Sequence, residues 1–195
     1  MRRLLVSVAA VALVVTGCTQ SVNPTASTPS PVPVFTSPIP PPSTPPATIA
    51  PVSCAIKVSA DTAHKPAITF PPTSCPAPAV LQSRDIVVGT GPPIKFRQTA
   101  VVQYVGLVFS SHKQFDASWD RHQLSSVPNI GQSSAIDGWN DGVPGMRAGG
   151  RRLLVIPPDL AYGSGGSGAN ADNTGTVVGP NQTVVFVIDL VRIDP

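Results

Sequence analysis

Five runs rich in β-branched residues set the frame for this chain, at 67–70, 84–88, 99–109, 151–156 and 183–193. Each is bounded by Gly or Pro and reads as a strand. Parallel neighbours need a crossover of a dozen or more residues, usually a helix, and the spacing here leaves no room for one between every pair. A mainly antiparallel sheet follows. One helix is predicted, because Ile136, Trp139 and Val143 recur at three- and four-residue spacing just before Pro144. About two turns long, it would lie across the concave face of the sheet and put Trp139 at the floor of a pocket. The fold class is therefore α+β.

The N-terminus bears on location. Arg2 and Arg3 precede an uncharged apolar run from Leu4 to Val15, which ends in Val15-Thr16-Gly17-Cys18. The run is shorter than the roughly 20 residues of a membrane-spanning helix. Residues 1–17 read as a signal peptide with a lipobox and Cys18 as the lipidated residue, which predicts an extracytoplasmic protein anchored to the membrane through lipid. Residues 18–52 are mostly Pro, Ser, Thr and Ala, with no charge. Such a segment buries too little surface to fold, and as an extended tether it spans as much as roughly 100 Å.

Removal of the signal takes two of the 13 basic residues and leaves 11 against 10 acidic ones. No basic run with interleaved aromatic residues is left, so nucleic acid is not an expected partner. Cys54 and Cys75 are an even pair in an exported chain, with no histidine at metal-like spacing, so a disulfide is expected rather than a metal site. Two free thiols are the alternative. Residues 53–79 then form an N-terminal extension, and residues 80–195 the main domain.

Aromatic residues make up 5% of the chain and charged residues 12%, yet both gather in Phe115-Asp116-Ala117-Ser118-Trp119-Asp120-Arg121, Ile136-Asp137-Gly138-Trp139 and Pro158-Asp159-Leu160-Ala161-Tyr162-Gly163. That clustering predicts a binding pocket. The chain has three histidines and no Gly-x-Ser-x-Gly or Cys-His arrangement in a strand-turn-helix context, which argues against nucleophilic hydrolysis. The glycine-rich stretch 163–168 lacks the Lys-Ser/Thr ending of a phosphate loop and reads as a loop. Asp137 and Asp141 suit the start of the short helix better than glycoside cleavage.

In order and spacing, several motifs together resemble the FKBP-type peptidyl-prolyl cis-trans isomerases over about residues 80–195. They are Gln103-Tyr104-Val105-Gly106, Phe115-Asp116-x-Ser118 with Asp120-Arg121, Ile136-x-Gly138-Trp139-x-x-Gly142-Val143, Met146-x-x-Gly149-x-Arg151, Ile156-Pro157-Pro158-x-x-Ala161-Tyr162-Gly163 and Val184-Val185-Phe186-x-Ile188-x-Leu190. The resemblance implies a twisted antiparallel sheet wrapped around one short helix, with an apolar pocket that accepts a proline ring and uses no metal or cofactor. It implies catalytic roles for Asp116, Tyr162, Phe115 and Trp139, and substrate contacts from Tyr104, Arg121, Ala135, Ile136, Val177, Val178 and Phe186. Trp139 would form the floor and Phe115, Tyr104 and Phe186 the walls. Tyr162 and the Ile136 backbone N–H would donate hydrogen bonds to the substrate. Asp116 could equally be a scaffold for the rings through Tyr104 and Arg121.

The sequence departs from the family pattern in three places. The loop from Gly163 to Gly175 is long and lacks a histidine often found there, Ala135 replaces a larger valine, and the aromatic residue expected after Arg121 gives way near Leu124. These changes imply altered substrate preference and weak binding of the family's macrolide inhibitors. The expected partners are Pro-containing unfolded or exported proteins, with a monomer as the default state. A non-catalytic Pro-peptide binding module or chaperone at the cell surface is the alternative.

Overall fold

The computed structural model describes residues 48–167 and 178–195. The expected signal peptide, Cys18, most of the tether and Val177 lie outside them. Among the described residues the strands are β1 (Ala50–Pro51), β2 (Lys57–Val58), β3 (Ile68–Thr69), β4 (Gln82–Val87), β5 (Thr99–Val108), β6 (Gln114–Ala117), β7 (Ser125–Val127), β8 (Gly150–Ile156) and β9 (Val184–Asp194), with one helix, α1 (Asp137–Gly142). The main sheet runs β1-β4-β8-β9-β5-β6, and β7 also pairs with β5. Every pair in it is antiparallel except β1 with β4. The α+β architecture, a twisted antiparallel sheet around one short helix, is as expected.

The continuous apolar run of β9 has a structural cause. Central strands covered on both faces lose the usual alternation of apolar and polar residues. Val184, Phe186, Ile188 and Leu190 enter the core that includes Trp139 of α1. Val185 and Val187 point the other way and pack with Cys54, Ile56, Phe109, Leu153 and Val155. The second face is therefore roofed by the N-terminal extension, whose strands β2 and β3 form a two-stranded antiparallel ribbon. Cys54 and Cys75 are disulfide-bonded, with their Cα atoms 5.8 Å apart. Arg151, fully buried, fastens the roof to the sheet. Its Nη1 donates to Ser59 O (2.8 Å) and its Nη2 to His64 O (2.9 Å), while Nη2 also reaches Asp189 Oδ2 (2.9 Å).

Helix α1 lies directly on β8. A Cβ at Gly138 would stand 2.4 Å from Ile156 Cγ2, so this turn admits only glycine at that contact. At its far end Arg152 Nη1 donates to Gly142 O (2.8 Å), a cation on otherwise unpaired terminal carbonyls.

The strand boundaries differ from the sequence pattern at the edges. Ala50 and Pro51 fall inside the expected tether yet pair with Gln82 and Ser83. Proline lacks the donor a central strand needs, and here it occupies the outermost strand. Strands β6 and β7 were not predicted, because Gln114-Phe115-Asp116-Ala117 and Ser125-Ser126-Val127 carry little β propensity. Their long partner β5 imposes the pairing.

Candidate active site

The site sits between the concave face of the sheet and α1. Strand β5 contributes Tyr104, β6 Asp116, β9 Phe186 and α1 Trp139, and the segment leading into α1 adds Ala135 and Ile136. With Ser125, Val127, Ser134 and Tyr162 they line a cavity of about 280 Å³. Aromatic rings meet edge to face. Trp139 lies 5.3 Å from Tyr104 and 5.2 Å from Phe186 between centroids, at interplanar angles of 86° and 89°. Such pairs contribute about 0.5–1.5 kcal/mol beyond their burial, so the floor and walls stiffen one another.

Seven of the expected residues converge here: Tyr104, Asp116, Ala135, Ile136, Trp139, Tyr162 and Phe186. Others stand off the lining. Phe115 is buried behind it, edge-on to Phe186 (5.5 Å) and to Tyr162 (6.0 Å), so it supports the wall. Gly106 makes room for this stack, since a Cβ there would come within 2.8 Å of Phe115 and 2.9 Å of Phe186. Arg121 acts through its partners. Val178 is fully buried in the core and is not among the lining residues, and Val177 is outside the described residues. Ser125, Val127 and Ser134 were missed, because only the pairing of β7 with β5 brings the first two to the cavity.

A charged network borders the cavity. Tyr104 Oη donates to Asp116 Oδ2, Arg121 Nη1 donates to Asp116 Oδ1, and Arg121 Nη2 donates to Tyr104 Oη at 2.9 Å. Asp116 is thereby committed as an acceptor on both oxygens. The Ser118 of the motif is fully buried, and its Oγ accepts the Tyr104 N–H (2.8 Å), which pins the turn after β6 to β5. Burial, followed by the hydrogen bond to Asp116, pushes the Tyr104 hydroxyl up to about 12. Burial, and then the charge of Asp116, pushes Tyr162 up to about 12 as well. Both phenols stay protonated donors across the physiological range.

The lining holds two serines and no histidine, cysteine or lysine. With Asp116 held by Tyr104 and Arg121, it supplies no free nucleophile–base pair. What it offers is an aromatic cup with hydroxyl donors at its edge, suited to an apolar ring carrying a carbonyl.

Comparison with known proteins gives the same reading. Residues 92–191 match the family model described as FKBP-type peptidyl-prolyl cis-trans isomerase. The chain belongs to that family. The FKBP domain is 42% identical over 130 residues to an "FK506-binding protein" of Streptomyces anulatus, covering 67% of this chain and 98% of that one. It is 43% identical over 128 residues to a "Probable FK506-binding protein" of Corynebacterium glutamicum, covering 66% and 98%. The structure titled "Crystal structure of AtFKBP13" is similar at a TM-score of 0.50 and 35% identity, over 60% of this chain and 94% of that one. The extension, residues 53–79, precedes the matched FKBP segment.

Proposed function

We propose that this FKBP-type isomerase accelerates X-Pro isomerisation in exported proteins by accepting the proline ring in the cup over Trp139 and favouring the twisted amide. The family's activity is peptidyl-prolyl cis-trans isomerisation. The observation that carries the detailed reading is the aromatic cavity closed by Trp139, Tyr104 and Phe186, with no free nucleophile in its lining.

Amide resonance places charge on oxygen and nitrogen and opposes rotation with a barrier of about 18–20 kcal/mol. An apolar cup disfavours that dipolar planar form. The twisted amide has lost the resonance, so the cup stabilises the transition state selectively. Tyr162, held protonated, is a donor for the substrate carbonyl, and the Ile136 N–H is a second. Asp116 fixes the Tyr104 ring through the network with Arg121.

The lipobox at Cys18 and the Pro-rich segment behind it support an anchored, extracytoplasmic enzyme, where slow X-Pro isomerisation limits folding. Macrolides of the FK506 type fit the same cup, and the small Ala135 side chain weakens the contact.

The test is isomerisation of a set of short X-Pro peptides by the mature chain and by an Asp116→Val, Tyr162→Phe double variant. Acceleration by the parent and its loss in the folded variant is the expected result. Equal acceleration by both would remove these residues from the mechanism, and binding without acceleration by the parent would favour a non-catalytic module.

A further inference from the structure

Residue Asn140, in the middle of α1, is not among the residues lining the cavity, yet its side chain uses all of its hydrogen-bonding capacity on one loop. The residue is 7% exposed. Its Oδ1 accepts from Gly131 N (3.1 Å), Ser133 N (3.0 Å) and Ser133 Oγ (2.6 Å). Its Nδ2 donates to Ser133 O and Ala135 O, each at 3.2 Å. Five bonds thus tie residues 131–135 to the helix that carries Trp139.

That loop supplies Ser134 and Ala135 to the cavity and delivers the chain to Ile136. Apart from its bonds to Asn140 it has those of Gln132 N–H to Asn129 O (2.9 Å) and of Ala135 N–H to Ser133 Oγ (3.2 Å). Its Gly131 sits at φ +92°, in the region that favours glycine. Ser134 is exposed and Ala135 half-buried. The neutral amide has a chemical logic here. A carboxylate could accept the three donors but would face the carbonyls of Ser133 and Ala135 with no proton to offer, and a leucine of similar size would take this partner away from five part-buried polar groups of the loop.

We propose that Asn140 is a positioning residue for the isomerase, holding the 131–135 wall in its binding-competent form before substrate arrives. This rests on the cavity being the proline site. Loss of the tie leaves a wall that is competent only part of the time, and the apparent affinity for substrate falls by that fraction. Once substrate is seated the wall is ordered again, so turnover of the bound complex is unchanged.

The experiment measures KM and kcat separately, with X-Pro peptides and the mature chain, for the parent, Asn140→Ala, Asn140→Asp and Ser133→Ala. The expected result for Asn140→Ala is KM raised about 5–10-fold with kcat within about 2-fold. Asn140→Asp, which keeps the acceptor, is expected in between. Partial unfolding gives the opposite split, because it removes active molecules and lowers apparent kcat at constant KM. Should Asn140→Ala fail to fold, Ser133→Ala removes only the hydroxyl contacts of the same tie and is expected to raise KM about 2-fold.

A fall in kcat at constant KM, or no change in either constant in a folded variant, overturns the proposal while leaving the enzyme reading intact. An inactive parent overturns both.

Discussion

The two tyrosines of the chain are Tyr104 and Tyr162, and both border the cavity. This makes alkaline titration a direct probe of the site. Each hydroxyl is raised from an ordinary value of 10.0 to about 12. In the unfolded chain both ionise near 10, whereas the folded chain holds both protons longer. The stability this confers is fully present below pH 10 and is lost as pH rises toward 12. In that window each group contributes a slope of about 1.36 kcal/mol per pH unit, so the pair gives roughly 2.7 kcal/mol per unit and at most about 5 kcal/mol across it.

The assay is tyrosinate absorbance near 295 nm, read in buffer and in denaturant, beside denaturant unfolding at pH 9, 10, 11 and 12. Tyr104→Phe should halve the slope and leave one phenol, Tyr162, still titrating late. A native chain in which either tyrosine ionises near 10, or a Tyr104→Phe variant with an unchanged slope, would refute the reasoning that the cavity is desolvated around these hydroxyls.

Three further predictions concern the frame around the site. Reducing the Cys54–Cys75 bond, or replacing both cysteines with serine, frees a loop of 21 residues' separation and should lower stability by about 3 kcal/mol in denaturant titrations. Activity well below the melting temperature should persist, because the bond lies on the face of the sheet away from the cavity. Asp189→Ala strands the fully buried Arg151 and should cost about 3–5 kcal/mol of unfolding free energy. Asp194→Ala, whose partner Arg192 is exposed, should cost less than about 1 kcal/mol. Gly106→Ala pushes a methyl into the Phe115 and Phe186 rings and should reduce peptide isomerisation more than it reduces melting temperature, as measured by kcat/KM beside thermal unfolding.

The long strands were legible in the sequence because β5 and β9 are dense in β-branched residues and β8 ends in the apolar run Leu153-Leu154-Val155-Ile156, and α1 because Ile136, Trp139 and Val143 keep helical spacing ahead of Pro144. The short edge strands were not. Ser125-Ser126-Val127 becomes a strand only because residues 100–102 lie ready to pair with it. In the site, the aromatic residues announced themselves through scarcity and clustering. The support they receive did not, since neither the place of Phe115 behind the wall nor the five bonds of Asn140 leaves a periodic trace. The roof over the outer face had one unread signal, the unbroken apolar run Val184-Val185-Phe186-Val187-Ile188, which a sheet with one wet face would not carry.

The sulfur bridge also decides how the protein carries mechanical load. A pull applied from the N-terminal side meets β1 first, a two-residue strand that peels easily from β4. Tension then reaches Cys54 and crosses covalently to Cys75, so the ribbon of β2 and β3 lies outside the force path. The roof keeps its seat on the sheet while the chain ahead of it is stretched, and the load that crosses to Cys75 passes on to β4.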